Sequence, residues 1–127
     1  MTPREQRGPA PRTRDFQLED GWTARVGRTD RDNDLLTFHD AFPQDLWLHA
    51  RGCPGSHVVL HHDDAHEPPK AVLEAAGRLA LQYSKASGAG TASVTVARIA
   101  DLRKPRGAPA GQVAVRKSRH LRIRIQG

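Results

Sequence analysis

Only one stretch of this chain carries a helical repeat long enough to cover a sheet. In KAVLEAAGRLALQYSKAS, residues 70–87, Val72, Ala75, Ala76, Leu79 and Tyr83 recur at spacings of one, three and four. Apolar residues spaced this way line one face of an α-helix. Pro69 suits the first helical turn and Gly88 suits the end, since proline lacks an N–H that would be unpaired there anyway. A helix is therefore expected over about 69–86. Strand-like segments flank it on both sides. A lone helix between two sets of strands must bury its apolar stripe against a sheet. This predicts an α+β fold with a mostly antiparallel sheet.

The strand-like segments are short. Phe16 and Leu18 alternate with polar residues, and Trp22-Thr-Ala-Arg-Val26 continues after Asp20-Gly21. Two strands joined by a tight turn fit this pattern. A short helix is expected near 31–38, capped by Asp30 or Asp32, with Leu35 and Phe38 on one face. Asp45–His49 and His57–His61 read as strands around the loop Arg51-Gly-Cys-Pro-Gly-Ser56. Past the helix, Val94 and Val96, then Val113 and Val115, then Leu121, Ile123 and Ile125 alternate with polar residues. The Pro/Gly loop Arg103–Gly111 interrupts this series. Residues 1–14 hold three prolines and four arginines and cannot bury apolar surface, so they are expected to be a disordered basic tail. That leaves residues 15–127 as a single domain. Its size supports a core without disulfides, and the lone Cys53 cannot form one internally. No apolar run approaches the ~18 residues of a membrane span, and the first residues do not resemble a secretory leader. A cytoplasmic protein with no membrane partner is expected.

The charge is unevenly placed. Residues 98–127 hold nine Lys and Arg against one acid, Asp101, while the whole chain is only +6. A single-sign block of this density points to an anionic partner, with nucleic acid first. In the final strand His120, Arg122 and Arg124 alternate with Leu121, Ile123 and Ile125. Strand side chains point to opposite faces in turn, so one face carries cations spaced roughly 7 Å apart. Arg116 is expected on the polar face of the preceding strand, with Lys117 and Arg119 in the turn between. The loop residues Arg103, Lys104 and Arg106 are expected beside them. Seven of the nine cations are arginine, which favours forked contacts to phosphate. Aromatic residues are scarce at 5%, and none lies in the basic block. A stacking platform for single strands is therefore disfavoured, and a reader of backbone and shape is favoured. The same arginines also protect an edge strand against aggregation.

The segment most like a chemical site is His61-His62-Asp63-Asp64-Ala-His66. Imidazole and carboxylate are ligands for divalent metals, so a metal-dependent phosphoesterase is one alternative. The cluster is local, however, and a polar connecting loop is the preferred reading. Cys53 lies near Arg51 but has no evident base, and Ser56 and His57 are neighbours that point apart on a strand. No enzyme activity and no cofactor are expected. A second binding patch is expected at the glycine loop, with Arg51 and His57 contacting phosphate or base. A third alternative is a protein-docking module.

Four motifs, in order, resemble one family. Asp45-Leu-Trp-Leu-His-Ala-Arg-Gly-Cys-Pro-Gly-Ser-His-Val-Val-Leu60 is similar to the signature of the NFACT-R (DUF814) domain. Val26-Gly-Arg…Asn33-Asp-Leu-Leu-Thr-Phe38 resembles its upstream segment. Glu74-Ala-Ala…Tyr83-Ser-Lys-Ala86 and Arg103-Lys-Pro-Arg-Gly-Ala-Pro-Ala-Gly111 resemble its helix and basic loop. The resemblance implies an RNA-binding domain found in proteins of ribosome-associated quality control. Those proteins act on a large ribosomal subunit that holds a stalled peptidyl-tRNA, and they recruit tRNA. It implies a stand-alone bacterial version here, with tRNA or large-subunit rRNA, and the large subunit itself, as partners. The family has Asn where this chain has Thr29, and the His61–Asp64 run is foreign to its pattern.

Overall fold

The computed structural model describes residues 9–86 and 90–125. Eight strands and two α-helices follow in the order β1 (Thr13–Gln17), β2 (Thr23–Gly27), α1 (Asp30–Leu35), β3 (Leu46–Ala50), β4 (Val58–His61), α2 (Lys70–Gln82), β5 (Gly90–Arg98), β6 (Leu102–Arg103), β7 (Ala114–Val115) and β8 (Arg119–Ile125). Six strands form one sheet in the order β1-β2-β4-β3-β5-β8, with every neighbouring pair antiparallel. The expected α+β class is therefore observed.

One face of the sheet takes α2. Ala24 and Val26, Leu48 and Ala50, Val58 and Leu60, and Val94 and Val96 are buried there with Ile123. They meet Val72, Leu73, Ala76, Ala80 and Leu81 of the helix. The buried stripe thus turns toward Leu73, Ala80 and Leu81, while Ala75, Leu79 and Tyr83 are only half-buried. Gly77 sits over β8, where an added Cβ would come within 2.8 Å of Ile123 Cδ1. The helix is shorter than expected. It stops at Gln82 because Ser84 pairs with Gly55 of the β3–β4 loop, and the Tyr83 carbonyl accepts from Ser56 N–H. A tertiary contact, rather than Gly88, ends it. Gly88 lies outside the described residues.

The other face is covered over β2, β4 and β3 by residues 30–40. Thr29 caps α1, its Oγ1 accepting from Asp32 N–H at 3.1 Å. The cap is Thr29 rather than Asp30 or Asp32. Thr and Asn both serve this position well, so the departure from the family pattern keeps the bond. The helix runs on through a π turn at Leu36–Asp40. On this face Val59 and Trp47 are almost fully buried, as is Ala97 near the end of β5.

Two strand expectations change. Val113 lies outside a strand, and Ala114–Val115 pairs with Leu102–Arg103 in a separate hairpin. The partner of β8 is therefore β5, more than 20 residues earlier. Residues 13 and 14 belong to β1, so ordered structure starts before Asp15. The remainder of the expected tail lies largely outside the described residues. Among the described residues no helix is long and apolar enough to cross a membrane.

The closest backbone approach that a residue change can probe is at Gly27, where an added Cβ would stand 2.0 Å from Asn33 Oδ1. That oxygen accepts the His57 backbone N–H at 3.1 Å. Gly27→Ala is expected to displace Asn33 and strand a buried N–H, lowering unfolding free energy by about 2–4 kcal/mol. Chemical denaturation of the purified variant measures this.

Candidate functional site

The second face of the sheet is left open over β8 and over β5 as far as Thr95. Register puts Thr91 opposite Arg124, Ser93 opposite Arg122 and Thr95 opposite His120. Their even-numbered neighbours Val94 and Val96 enter the core, so Thr91, Ser93 and Thr95 face away from α2. His120, Arg122 and Arg124 are exposed, as is Thr91, while Ser93 and Thr95 are half-buried. The Arg51 N–H donates to Ser93 O at 2.9 Å. That bond prolongs the β3–β5 register by one residue and places Arg51 on the same face as His49, across β5 from Arg122. The two patches expected separately therefore meet on one surface. None of these positions is acidic, and none is Phe, Tyr or Trp.

His57 does not belong to the exposed surface. It is 1% exposed and lies under the 30–40 segment. Its Nε2–H donates to Gly111 O at 3.1 Å, and its Nδ1 accepts from Thr37 Oγ1–H at 2.7 Å. A carbonyl can only accept, so this pairing selects the neutral ring. Burial, joined by neighbouring His49, lowers the His57 pKa to about 4. Burial lowers the His49 pKa as well. The expectation that His57 contacts phosphate or base is corrected: it is an internal strut, because the strand begins at Val58 and turns the preceding side chain beneath α1.

The C-terminal cations divide into tied and untied groups. Lys104 Nζ donates to Asp34 Oδ1 at 3.0 Å, to Gln112 O at 3.1 Å and to Pro109 O. Its three N–H bonds are thereby used inside the fold. Asp34 also accepts Gly111 N–H at 2.8 Å, so the basic loop is pinned to α1. Arg116 pairs with Asp101 but remains exposed. It follows β7 rather than preceding β8 on a common polar face. Arg119 opens β8 in the opposite parity from Arg122. With Lys117 and Ser118 it lines a cleft of about 300 Å³ bordered by Arg98, Asp101 and Glu67. Arg103 and Arg106 are exposed on and beyond β6. Of the ten residues expected to bind, Arg51, Arg122 and Arg124 share one face, and sequence reading had not joined Thr91, Ser93 and Thr95 to them. The alternation Thr-Ala-Ser-Val-Thr-Val was visible, but not its pairing with β8.

The His61–His66 run is engaged elsewhere. His61 has one ring nitrogen on Asp45 Oδ1 at 2.6 Å and the other on Asp63 Oδ1 at 2.9 Å. His62 Nε2–H donates to Asp20 O at 2.8 Å, and its Nδ1 accepts from Asp64 N–H and Ala65 N–H. Its ring packs on Trp22. Both rings are therefore turned to structural tasks. Among the described residues no three His, Cys, Asp or Glu gather as metal ligands. Cys53 is free and half-buried against the core.

Fold and surface together define a small α+β module with one open, cationic sheet face. Comparison with known proteins gives the family. Residues 13–117 match the family model described as NFACT protein RNA binding domain. The chain is 32% identical over 119 residues to the Rqc2 homolog RqcH of Bacillus subtilis (strain 168), covering 89% of this chain and 20% of that protein. It is 38% identical over 98 residues to the Rqc2 homolog RqcH of Streptococcus suis (strain 05ZYH33), covering 77% and 17%. A solved structure, the C-terminal part of the fibronectin/fibrinogen-binding protein from Streptococcus suis, superimposes with a TM-score of 0.81 at 32% identity. It covers 93% of this chain and 46% of that one. The chain belongs to the NFACT RNA-binding domain family. It spans about a fifth of the length of these curated relatives.

The neutral burial of His57 sets a pH dependence. Unfolded, the ring takes a proton below about 6.5; folded, only below about 4. Between those values the unfolded chain holds more protons, so stability falls as pH drops through the window. The full loss is roughly 3 kcal/mol, reached near the lower limit. Denaturant unfolding from neutrality to about pH 4 is expected to show this slope, and His57→Gln to flatten it. An unchanged slope in the variant would assign the effect to other groups.

Proposed function

We propose that this chain binds structured RNA, tRNA or large-subunit rRNA, in ribosome-associated quality control. The observation that carries the reading is the open half-face of the sheet. Arg51, His120, Arg122 and Arg124 stand on it, and none of the four has an ion-pair partner among the described residues. Several arginines elsewhere are neutralised locally: Arg25 by Asp15 and Asp40, Arg98 by Glu67, Arg116 by Asp101. A cation kept free of carboxylates remains available to phosphate at little desolvation cost. The lack of aromatic side chains on the face favours contact with backbone and shape over base stacking. Family membership supports RNA as the anion, and the RqcH relatives support the ribosomal setting.

Arg103, Arg106, Lys117 and Arg119 extend the positive field around this face without lying on it. Lys104 and His57 hold the fold. The module acts by binding, with no chemical step and no cofactor, in the cytoplasm.

Two measurements test the reading. Affinity for tRNA or rRNA fragments is expected to fall with added salt, with a log–log slope of about −3 to −5. Arg122→Glu with Arg124→Glu is expected to weaken binding by at least tenfold and reduce that slope by about two, while thermal unfolding stays close to that of the parent chain. Unchanged affinity in the double variant would remove this face from the proposal. Sequencing RNA crosslinked to the protein in cells identifies the bound species.

A further inference from the structure

The open face carries two kinds of group in register, and they differ in what they can recognise. Down β8 run His120, Arg122 and Arg124; beside them down β5 run Thr95, Ser93 and Thr91. Directly paired residues on adjacent strands have Cβ atoms about 5 Å apart. Each of these three residues therefore stands beside a hydroxyl, and the pairs repeat every two residues, roughly 7 Å along the strand. The hydroxyls of Thr91, Ser93 and Thr95 make no hydrogen bond with any other described residue. This contrasts with Thr29, Thr37 and Ser84, whose hydroxyls are committed to a helix cap, to His57 and to Leu81 O. Three uncommitted hydroxyls in a row, on the face that also holds uncommitted arginines, call for a ligand that uses both.

Arginine is a donor only, and a phosphate offers it the same oxygens in RNA and in DNA. A guanidinium row thus confers affinity without telling the two apart. A Ser or Thr hydroxyl both donates and accepts. It is the complement of a ribose 2′-OH, which does the same and which DNA lacks. We propose that Thr91, Ser93 and Thr95 are the sugar-discriminating residues of this face, accepting from or donating to ribose 2′-hydroxyls while Arg122 and Arg124 hold the adjoining phosphates. The inference rests on the RNA-binding reading above and deepens it. It divides the face into a strand for affinity and a strand for sugar identity.

The geometry supports that division. The hydroxyl strand is the inner of the two, flanked by β3 and β8, and its half-buried Ser93 and Thr95 are held at fixed height by hydrogen bonding on both sides. Short side chains on a central strand have little freedom, which suits a group that must read a position. The arginines stand on the edge strand with long, adaptable stems, which suits attraction to a charge whose exact place varies. Arg51 faces Arg122 across Ser93, so the middle hydroxyl is bracketed by arginines.

The test compares three hairpins of one sequence at low ionic strength: RNA, DNA, and RNA whose 2′-hydroxyls are replaced by fluorine. Fluorine keeps the ribose pucker and removes the donor. The parent chain is expected to bind the RNA about tenfold more tightly than either of the others, the worth of one or two ordinary hydrogen bonds. Thr91→Val, Ser93→Ala and Thr95→Val together preserve strand propensity and are expected to bring the three affinities within about twofold, by weakening RNA alone. Thr95→Ser is expected to retain the preference. A triple variant that melts like the parent yet keeps the full RNA preference overturns the inference. So does a parent chain that binds RNA and DNA equally, which leaves RNA binding itself intact. A parent chain that binds none of the three overturns both this inference and the reading beneath it.

Discussion

Two segments distant in sequence converge on His57 and its neutral imidazole. His57 receives the Thr37 hydroxyl from the 30–40 segment, gives its Nε2–H to Gly111 of the basic loop, and lends its backbone N–H to Asn33 of α1. The ring is buried, so each of these bonds is made where water cannot replace it, and losing a partner costs more than an exposed bond would. Around it Asp34 gathers Lys104 and the Gly111 N–H. This small polar core closes the second face of the sheet over β2, β4 and β3. By ending where it does, it also fixes which half of that face stays open.

That arrangement sorts the cations. Near the closed half and the hairpin, a carboxylate or carbonyl takes up Arg25, Lys104 and Arg116. On the open half the cations face solvent with hydroxyls beside them. Net charge alone would not distinguish these groups. Lys104 belongs to the same basic block as Arg122 in sequence, yet one holds a loop together and the other stands ready for an outside anion.

The sequence was most legible where its pattern was local. The period of α2, the alternation in β8 and the turn at Asp20-Gly21 are all set by neighbours within a few residues. The cap was expected at Asp30 or Asp32 and falls on Thr29, because three acceptor-bearing residues compete there. The end of α2 was set by Gly55 meeting Ser84, a contact across 29 positions that no local rule contains. The same holds for the site. Arg122 and Arg124 announced themselves by alternation and by charge, and the family motifs supplied RNA. The partnership of β8 with β5, the burial of His57 and the capture of Lys104 depend on which strands become neighbours. That is a property of the whole topology, and a motif that matched well still placed His57 on the wrong side of the surface.

The place of β8 has a consequence for when the surface comes into being. Strands β1 to β5 can pair in succession as the chain grows, but β8 docks on β5 only after residues 99–118 have looped out and returned. Closing that loop costs entropy before any pairing repays it, and synthesis delivers β8 last of these strands. Until residues 119–125 leave the exit tunnel, the half-made sheet shows its hydroxyl row and Arg51 but lacks its arginine edge. On the RNA-binding reading proposed above, a partly made copy has little hold on RNA, and competence for binding arrives together with completion of the sheet.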